Sequence, residues 1–92
     1  MMFLARMDVR FPDHLSPEQI AGFQVREKAY SAGLQESGQM AGIWRIVGEY
    51  ANHSLFDVAS NDELHEVLSG FPMYPYMSIK VTPLAKHPNS LR

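Results

Sequence analysis

The chain has 92 residues, 46% hydrophobic and 20% charged, with a net charge of −2 and no cysteine. That is the composition of one small globular domain, of a size that often gains stability by association. It offers no basic field for nucleic acid, no disulfide, thiolate or cysteine–zinc chemistry, and no apolar run long enough to span a bilayer.

Met1 to Asp8 is charged too soon to read as a signal peptide, so a cytoplasmic protein is expected. Met2 to Phe11 alternates. Phe3, Ala5, Met7, Val9 and Phe11 make one apolar face, and Arg6, Asp8 and Arg10 share the other with Met2 and Leu4. This predicts an edge or half-buried strand, ended by Pro12-Asp13-His14. Ser16 is then a natural N-cap, Pro17 suits the first helical position, and Gln19 stands where a capping box needs it. Leu15 and Ile20 have the spacing of a hydrophobic staple. The helix is expected to reach about Ser37, with Gly38 as its stop. Its apolar stripe is Ile20, Phe23, Tyr30 and Leu34, and the missing member of that 3–4 spacing is Glu27.

Ile43 to Val58 is rich in β-branched and aromatic residues and reads as two strands with a turn near Ala51-Asn52. Gly48 interrupts the first strand, where a bulge or a close backbone approach is expected. This hairpin is expected in the middle of the sheet, carrying the polar residues Arg45, Asn52, His53 and Ser54 near strand ends. Asn61 to Ser69 is a short helix with Ser60 as N-cap and Glu63 completing a second capping box. Leu64, Val67 and Leu68 face inward, His65 sits on the surface flank, and Gly70 ends the helix. Phe71 to Tyr76 is a rigid aromatic connection held by two prolines. Met77 to Thr82 alternates as a last strand, and Pro83 to Arg92 has no periodicity.

The order β-α-β-β-α-β is that of the ferredoxin-like α+β fold, an antiparallel sheet with two helices on one face. Residues 1–83 form this domain and residues 84–92 a C-terminal tail. The hairpin has apolar side chains on both faces, with Trp44, Ile46 and Tyr50 against Ile43 and Val47. A partner sheet is therefore expected on the uncovered face, giving a dimeric α+β barrel and at least a homodimer.

Glu27 is the strongest local violation of pattern. A carboxylate on an inward stripe is costly unless it is paired, hydrogen-bonded or facing a polar cavity. One reading is a buried salt bridge to Arg45 or Arg6; the other is a functional group. The histidines His14, His53, His65 and His87 show no metal-ligand spacing, so no metal is expected. No Gly-rich phosphate loop, GxSxG motif or RNA-binding aromatic segment is present. What remains is proton chemistry by a partly desolvated Glu27, whose raised pKa would suit general base and acid roles. Lys28 or Arg45 would anchor an anionic substrate while drawing that pKa back down. Ser54, the Tyr76 hydroxyl or backbone N–H groups would hold a developing enolate, as in allylic isomerases.

These residues also carry a resemblance. Glu27-Lys28, Trp44-Arg45-Ile46 with Gly48, Tyr50-Ala51-Asn52, Ser54 to Val58, Glu63-Leu64-His65, Pro72 with Tyr74 to Met77, and His87-Pro88-Asn89-Ser90 are similar to the muconolactone Δ-isomerase family. They occur in the right order over nearly the whole chain. His53 departs, standing where the family has a tyrosine or an aliphatic residue, and residues 39–42 differ as well. The resemblance implies a cofactor-free enzyme of catechol degradation, in the β-ketoadipate pathway. It would convert muconolactone, a small lactone carboxylate, to 3-oxoadipate enol-lactone by a 1,3-proton shift. Glu27 would be the catalytic base, Lys28 and Arg45 would hold the acetate carboxylate, and His87 would reach substrate from the tail, beside the donors Ser54 and Tyr76 read from the residues themselves. A ring of dimers is implied, a decamer, with the tail of one subunit closing a neighbour's pocket. Two alternatives stand beside it: a chloromuconolactone dehalogenase eliminating HCl with the same base, and a non-catalytic oligomer that binds a small acid.

Overall fold

A computed structural model describes residues 1–92. Its elements are β1 (Met2–Val9), α1 (Pro17–Ser37), β2 (Met40–Arg45), β3 (Ala51–Asp57), α2 (Asn61–Ser69) and β4 (Met77–Leu84), with one 3₁₀ turn at Tyr74–Tyr76. The strands form one antiparallel sheet in the order β2-β3-β1-β4, the ferredoxin-like arrangement.

Register decides what the sheet presents to the helices. Phe3 lies opposite Phe56, Ala5 opposite Ser54, and Met7 opposite Asn52, so strand alternation sends all six to one face. Phe3, Ala5, Met7, Ser54 and Phe56 are buried there. Leu64, Val67 and Leu68 of α2 pack onto this face with Leu34 of α1, Met40, Val58 and Phe71. Each such large apolar side chain contributes roughly 1.5–3 kcal/mol through removal from water.

The sequence places β1 at an edge, but it lies between β3 and β4. Its alternation reports that one face is covered by helices and says nothing of how many strands flank it. The hairpin reading also needs correction. The chain reverses at Ile46–Tyr50, and Ala51 and Asn52 already belong to β3. Glu49 N–H donates to Ile46 O at 3.1 Å and Ile46 N–H to Ala51 O at 3.0 Å, closing the loop. Gly48 is the third residue of that turn, at φ 82°, a conformation costly for any side chain with a Cβ. It is thus a turn residue, and the register irregularity falls instead between Met40 and Gly42. Of the two hairpin strands only β3 is internal, while β2 forms an edge.

The helix ends follow the sequence closely. Ser16 Oγ accepts from Gln19 N–H at 3.1 Å and Gln19 Oε1 accepts from Ser16 N–H at 2.8 Å, while Gly38 closes α1 at φ 85°. At α2, Ser60 Oγ accepts from Glu63 N–H, but the Glu63 carboxylate reaches back to Ala59 N–H at 2.9 Å rather than to the cap residue. The last strand runs two residues beyond the expected Thr82, because Leu84 pairs with Met2. The tail beyond it is exposed.

The face away from the helices carries Leu4, Arg6, Trp44, His53 and Leu55. Trp44 is 58% exposed there. Ile46, Val47 and Tyr50, expected on this hairpin's strands, belong to the loop, and Ile43 points to the helix side. The apolar character of the open face thus comes from Trp44, Leu4 and Leu55.

Tyr30 ties the two helices together. Its hydroxyl donates to Val67 O at 2.7 Å and its ring meets Phe71 edge-on at 4.7 Å. A Cβ at Gly70 would collide with the Tyr30 hydroxyl, although the Gly70 backbone (φ −81°) is one any residue adopts. Gly70→Ala is therefore expected to cost about 1–3 kcal/mol by overpacking, measured by urea unfolding. The cost should shrink in a Tyr30→Phe background if the collision is its cause.

Candidate active site

A cleft of about 490 Å³ opens between α1 and the sheet, a volume suited to a small organic ligand. Met7, Val9, Ile43, Asn52 and Ser54 form its floor, Gln24, Glu27, Lys28 and Ser31 of α1 one wall, and Phe71 and Met73 another. Arg45 and Tyr50 stand at the hairpin end. Each reaches the cleft for a local reason. The helical period carries Glu27 inward with Tyr30 and Leu34, and the strand period turns Arg45 and Ile43 to the same face as Asn52 and Ser54.

Glu27 is half-buried, and its Oε1 accepts from Met73 N–H at 3.0 Å. It makes no ion pair. The salt-bridge reading fails because both arginines are engaged elsewhere. Arg6 pairs with Asp8 at 3.0 Å and with Glu49 at 2.8 Å on the far face of the sheet. Arg45 lies 5.3 Å over the Tyr50 ring, with Nη1 3.4 Å from Glu49 O. Burial pushes the Glu27 carboxyl above the usual carboxylate range, and the Met73 N–H opposes this in part. Neither Lys28 nor Arg45 draws it down, contrary to the expectation from sequence. Burial, and next the Glu27 charge, likewise push the Tyr30 phenol up.

Lys28 and Arg45 form no salt bridge, so the cleft holds two cations without a carboxylate partner and one carboxylate. With Glu27 ionised its lining carries a net charge of +1, which favours an anion.

Of the residues singled out from sequence, the structure brings Glu27, Lys28, Arg45 and Ser54 to one cleft. Ser54 is 0% exposed, and its hydroxyl donates to Asn52 Oδ1 at 2.7 Å, so it backs the floor rather than facing the interior. Tyr76 stands one layer behind, packed on Phe11 at 5.6 Å and Phe23 at 5.4 Å; Phe11 in turn touches Tyr50. His87 lies in the exposed tail, its Nδ1 accepting from Asn89 N–H at 3.0 Å. Sequence reasoning missed Gln24, Tyr50, Asn52 and Met73 as cleft residues. Strand alternation from Ile43 through Arg45 to Asn52 and Ser54 would have found Asn52 had the turn been placed at Gly48. Nothing local could have found the Met73 N–H.

Fold and cleft together define a ferredoxin-like α+β domain whose concave site pairs an isolated carboxyl with unpaired cations, an arrangement for proton transfer on a small organic acid. The chain matches the family model described as muconolactone delta-isomerase over residues 1–90. It is 55% identical over 92 residues to muconolactone Delta-isomerase 1 of Acinetobacter lwoffii, covering 100% of this chain and 96% of that protein. It is 54% identical to the muconolactone Delta-isomerase of Cupriavidus pinatubonensis, covering all of both chains. A crystal structure of muconolactone isomerase superposes with a TM-score of 0.95 at 39% identity, covering 100% of this chain and 96% of that one. The chain belongs to the muconolactone delta-isomerase family.

The raised pKa of Glu27 has a consequence for stability. A carboxyl whose folded pKa lies above its unfolded value stabilises the fold in its protonated form, and that contribution is lost as pH rises through the folded pKa. A glutamine amide in its place can keep the Met73 contact through its own Oε1. Glu27→Gln is thus expected to melt no lower than the parent at pH 7–8, with the gap between them closing as pH falls below the ordinary value of 4.5. Thermal melts of both proteins across pH 4–8 measure this.

Proposed function

We propose that this protein isomerises muconolactone to 3-oxoadipate enol-lactone, with Glu27 carrying the proton. The observation behind this role is the setting of Glu27: half-buried at a cleft, unpaired, with one oxygen fixed by Met73 N–H and the other left free. The free oxygen takes the ring proton at the carbon bearing the acetate arm. The C–H electron pair passes through the adjacent double bond system to give a dienolate with its charge on the lactone carbonyl oxygen. The same carboxyl then returns the proton two atoms away, on the same face, and the double bond is left shifted. No atom is gained or lost. Transfer by a positioned carboxyl is typically worth roughly 10²–10⁴-fold in rate. Lys28 and Arg45 hold the acetate carboxylate, and the hairpin fixes Arg45 by stacking it on Tyr50. No cofactor enters this scheme.

The assembly we propose is a homo-oligomer built from dimers that meet through the open sheet face, arranged as a decamer and working in the cytoplasm. Support for the dimer contact comes from the exposed Trp44 beside Leu4 and Leu55, and from His53 Nδ1, buried without a hydrogen-bond partner in the single chain. Tail residues 85–92 then reach a neighbouring subunit's cleft, which gives the exposed His87-Pro88-Asn89-Ser90 segment a surface to dock on.

Purified protein mixed with muconolactone should isomerise it, followed by absorbance, and release no chloride preferentially from the 5-chloro analogue. Chloride release as the main reaction would make the protein a dehalogenase, and no turnover of either would leave a binding protein. Glu27→Gln should lower kcat by at least about 10²-fold. The acid limb of kcat/KM should lie above the ordinary carboxylate pKa, since the base must be ionised to act. Deleting Ala85 onward should slow turnover while leaving the circular dichroism spectrum unchanged, since the tail follows the last paired strand residue, Leu84. An unchanged rate would remove the tail from the site.

A further inference from the structure

Ser54 is the one polar residue among the buried set, and it lies directly beneath the cleft. A fully buried hydroxyl must place its hydrogen on an acceptor or lose about 1–3 kcal/mol. Asn52 Oδ1, at 2.7 Å, is the only side-chain acceptor it meets. This fixes which way the Asn52 amide faces. Were the amide turned over, its NH₂ would meet the Ser54 oxygen and the hydroxyl hydrogen would be left without a partner. The amide carbonyl is therefore held toward Ser54, and the Asn52 NH₂, which donates to no protein atom, is directed away from it at the cleft surface.

From this geometry we infer that Asn52 is a catalytic residue whose NH₂ holds the oxyanion formed during isomerisation, and that Ser54 is a positioning residue that locks the amide for that task. The inference rests on the isomerase reading, with Glu27 as base, given above. When the ring proton passes to Glu27, negative charge builds on the lactone carbonyl oxygen. A donor aimed beforehand at that oxygen needs no reorientation as the charge appears, and such donors are typically worth about 10²–10³-fold in kcat. An amide free to rotate would spend part of its time presenting its own carbonyl to the enolate, which repels it. The Ser54 hydroxyl prevents this. In the sheet Asn52 lies between Met7 of β1 and Arg45 of β2, an apolar neighbour on one side and a cation on the other, and both strengthen a hydrogen bond to a charged oxygen.

The test is a double-mutant cycle on the full-length protein with muconolactone, reading kcat and KM separately. Asn52→Ala should lower kcat about 10²-fold, with a far smaller change in KM. Ser54→Ala should lower kcat roughly tenfold, the equivalent of one lost neutral hydrogen bond. The double variant should be no slower than Asn52→Ala alone, because without the amide there is nothing left to orient. Asn52→Asp keeps the acceptor for Ser54 and the shape of the side chain, so it should fold normally yet be at least as slow as Asn52→Ala. Should Ser54→Ala not fold, Ser54→Cys, similar in size but a weak donor, takes its place in the cycle. Multiplying effects in the double variant would overturn the positioning role, and near-normal kcat in Asn52→Ala or Asn52→Asp would overturn the oxyanion role. Glu27→Gln assayed alongside separates the two proposals. If it stays active, the base reading fails; if it is inactive while the Asn52 variants are not, only the present inference fails.

Discussion

The hydrogen bond from Met73 N–H to Glu27 Oε1 is the contact on which the site depends. It joins the middle of α1 to the connection between α2 and β4, 46 residues apart in sequence. On the helix side Glu27 would otherwise be a desolvated carboxylate among Phe23, Tyr30 and Leu34, an expensive placement with no cation beside it. On the other side the Pro72 and Pro75 connection has its backbone fixed by restricted torsions, so Met73 presents its N–H in one direction. The bond lowers the cost of burying the acid without neutralising it. It also leaves one oxygen free, which a bidentate ion pair would not.

The distribution of cations follows the same logic. Arg6, on the opposite face of the sheet, is tied twice, to Asp8 and to Glu49. Those hydrogen bonds hold the Asp8 carboxyl below its usual range and keep Arg6 firmly protonated. Arg45 and Lys28 have no carboxylate partner and stand at the cleft. The sheet thus separates a closed ionic network on one face from open charges on the other. Glu49 contributes to both sides: its carboxylate holds Arg6 and its carbonyl accepts from Arg45. That dual role is possible because the Gly48 turn places it where the hairpin reverses.

The order of elements, the capping of α1, the buried faces of β1 and α2, and the anomaly at Glu27 were all legible in the sequence, because each is written in local period or spacing. The errors have a common origin. Ala51-Asn52 looks like a turn by residue type, yet Asn52 faces the cleft from β3 while Gly48 supplies the positive φ that the reversal needs. Alternation in β1 identified its buried side, but strand neighbours are set by pairing over long sequence separations, and β1 proved to be internal. Ser54 and Tyr76 offer hydroxyls in the sequence, but burial turns one to Asn52 and aromatic packing holds the other against Phe11 and Phe23.

What the chain determines by itself, then, is that an acid occupies the inward stripe of a long helix in a βαββαβ domain, since helical period and capping chemistry act over a few residues. Whether that acid is locked in an ion pair or left with a free oxygen was decided only in three dimensions. The partners available to it, Arg6, Arg45 and Met73, are brought near or kept away by sheet register and by the path of a connection far along the chain. Tertiary structure paired Arg6 elsewhere, held Arg45 against Tyr50, and gave Glu27 a single backbone donor. A lone carboxyl at an open cleft is the result.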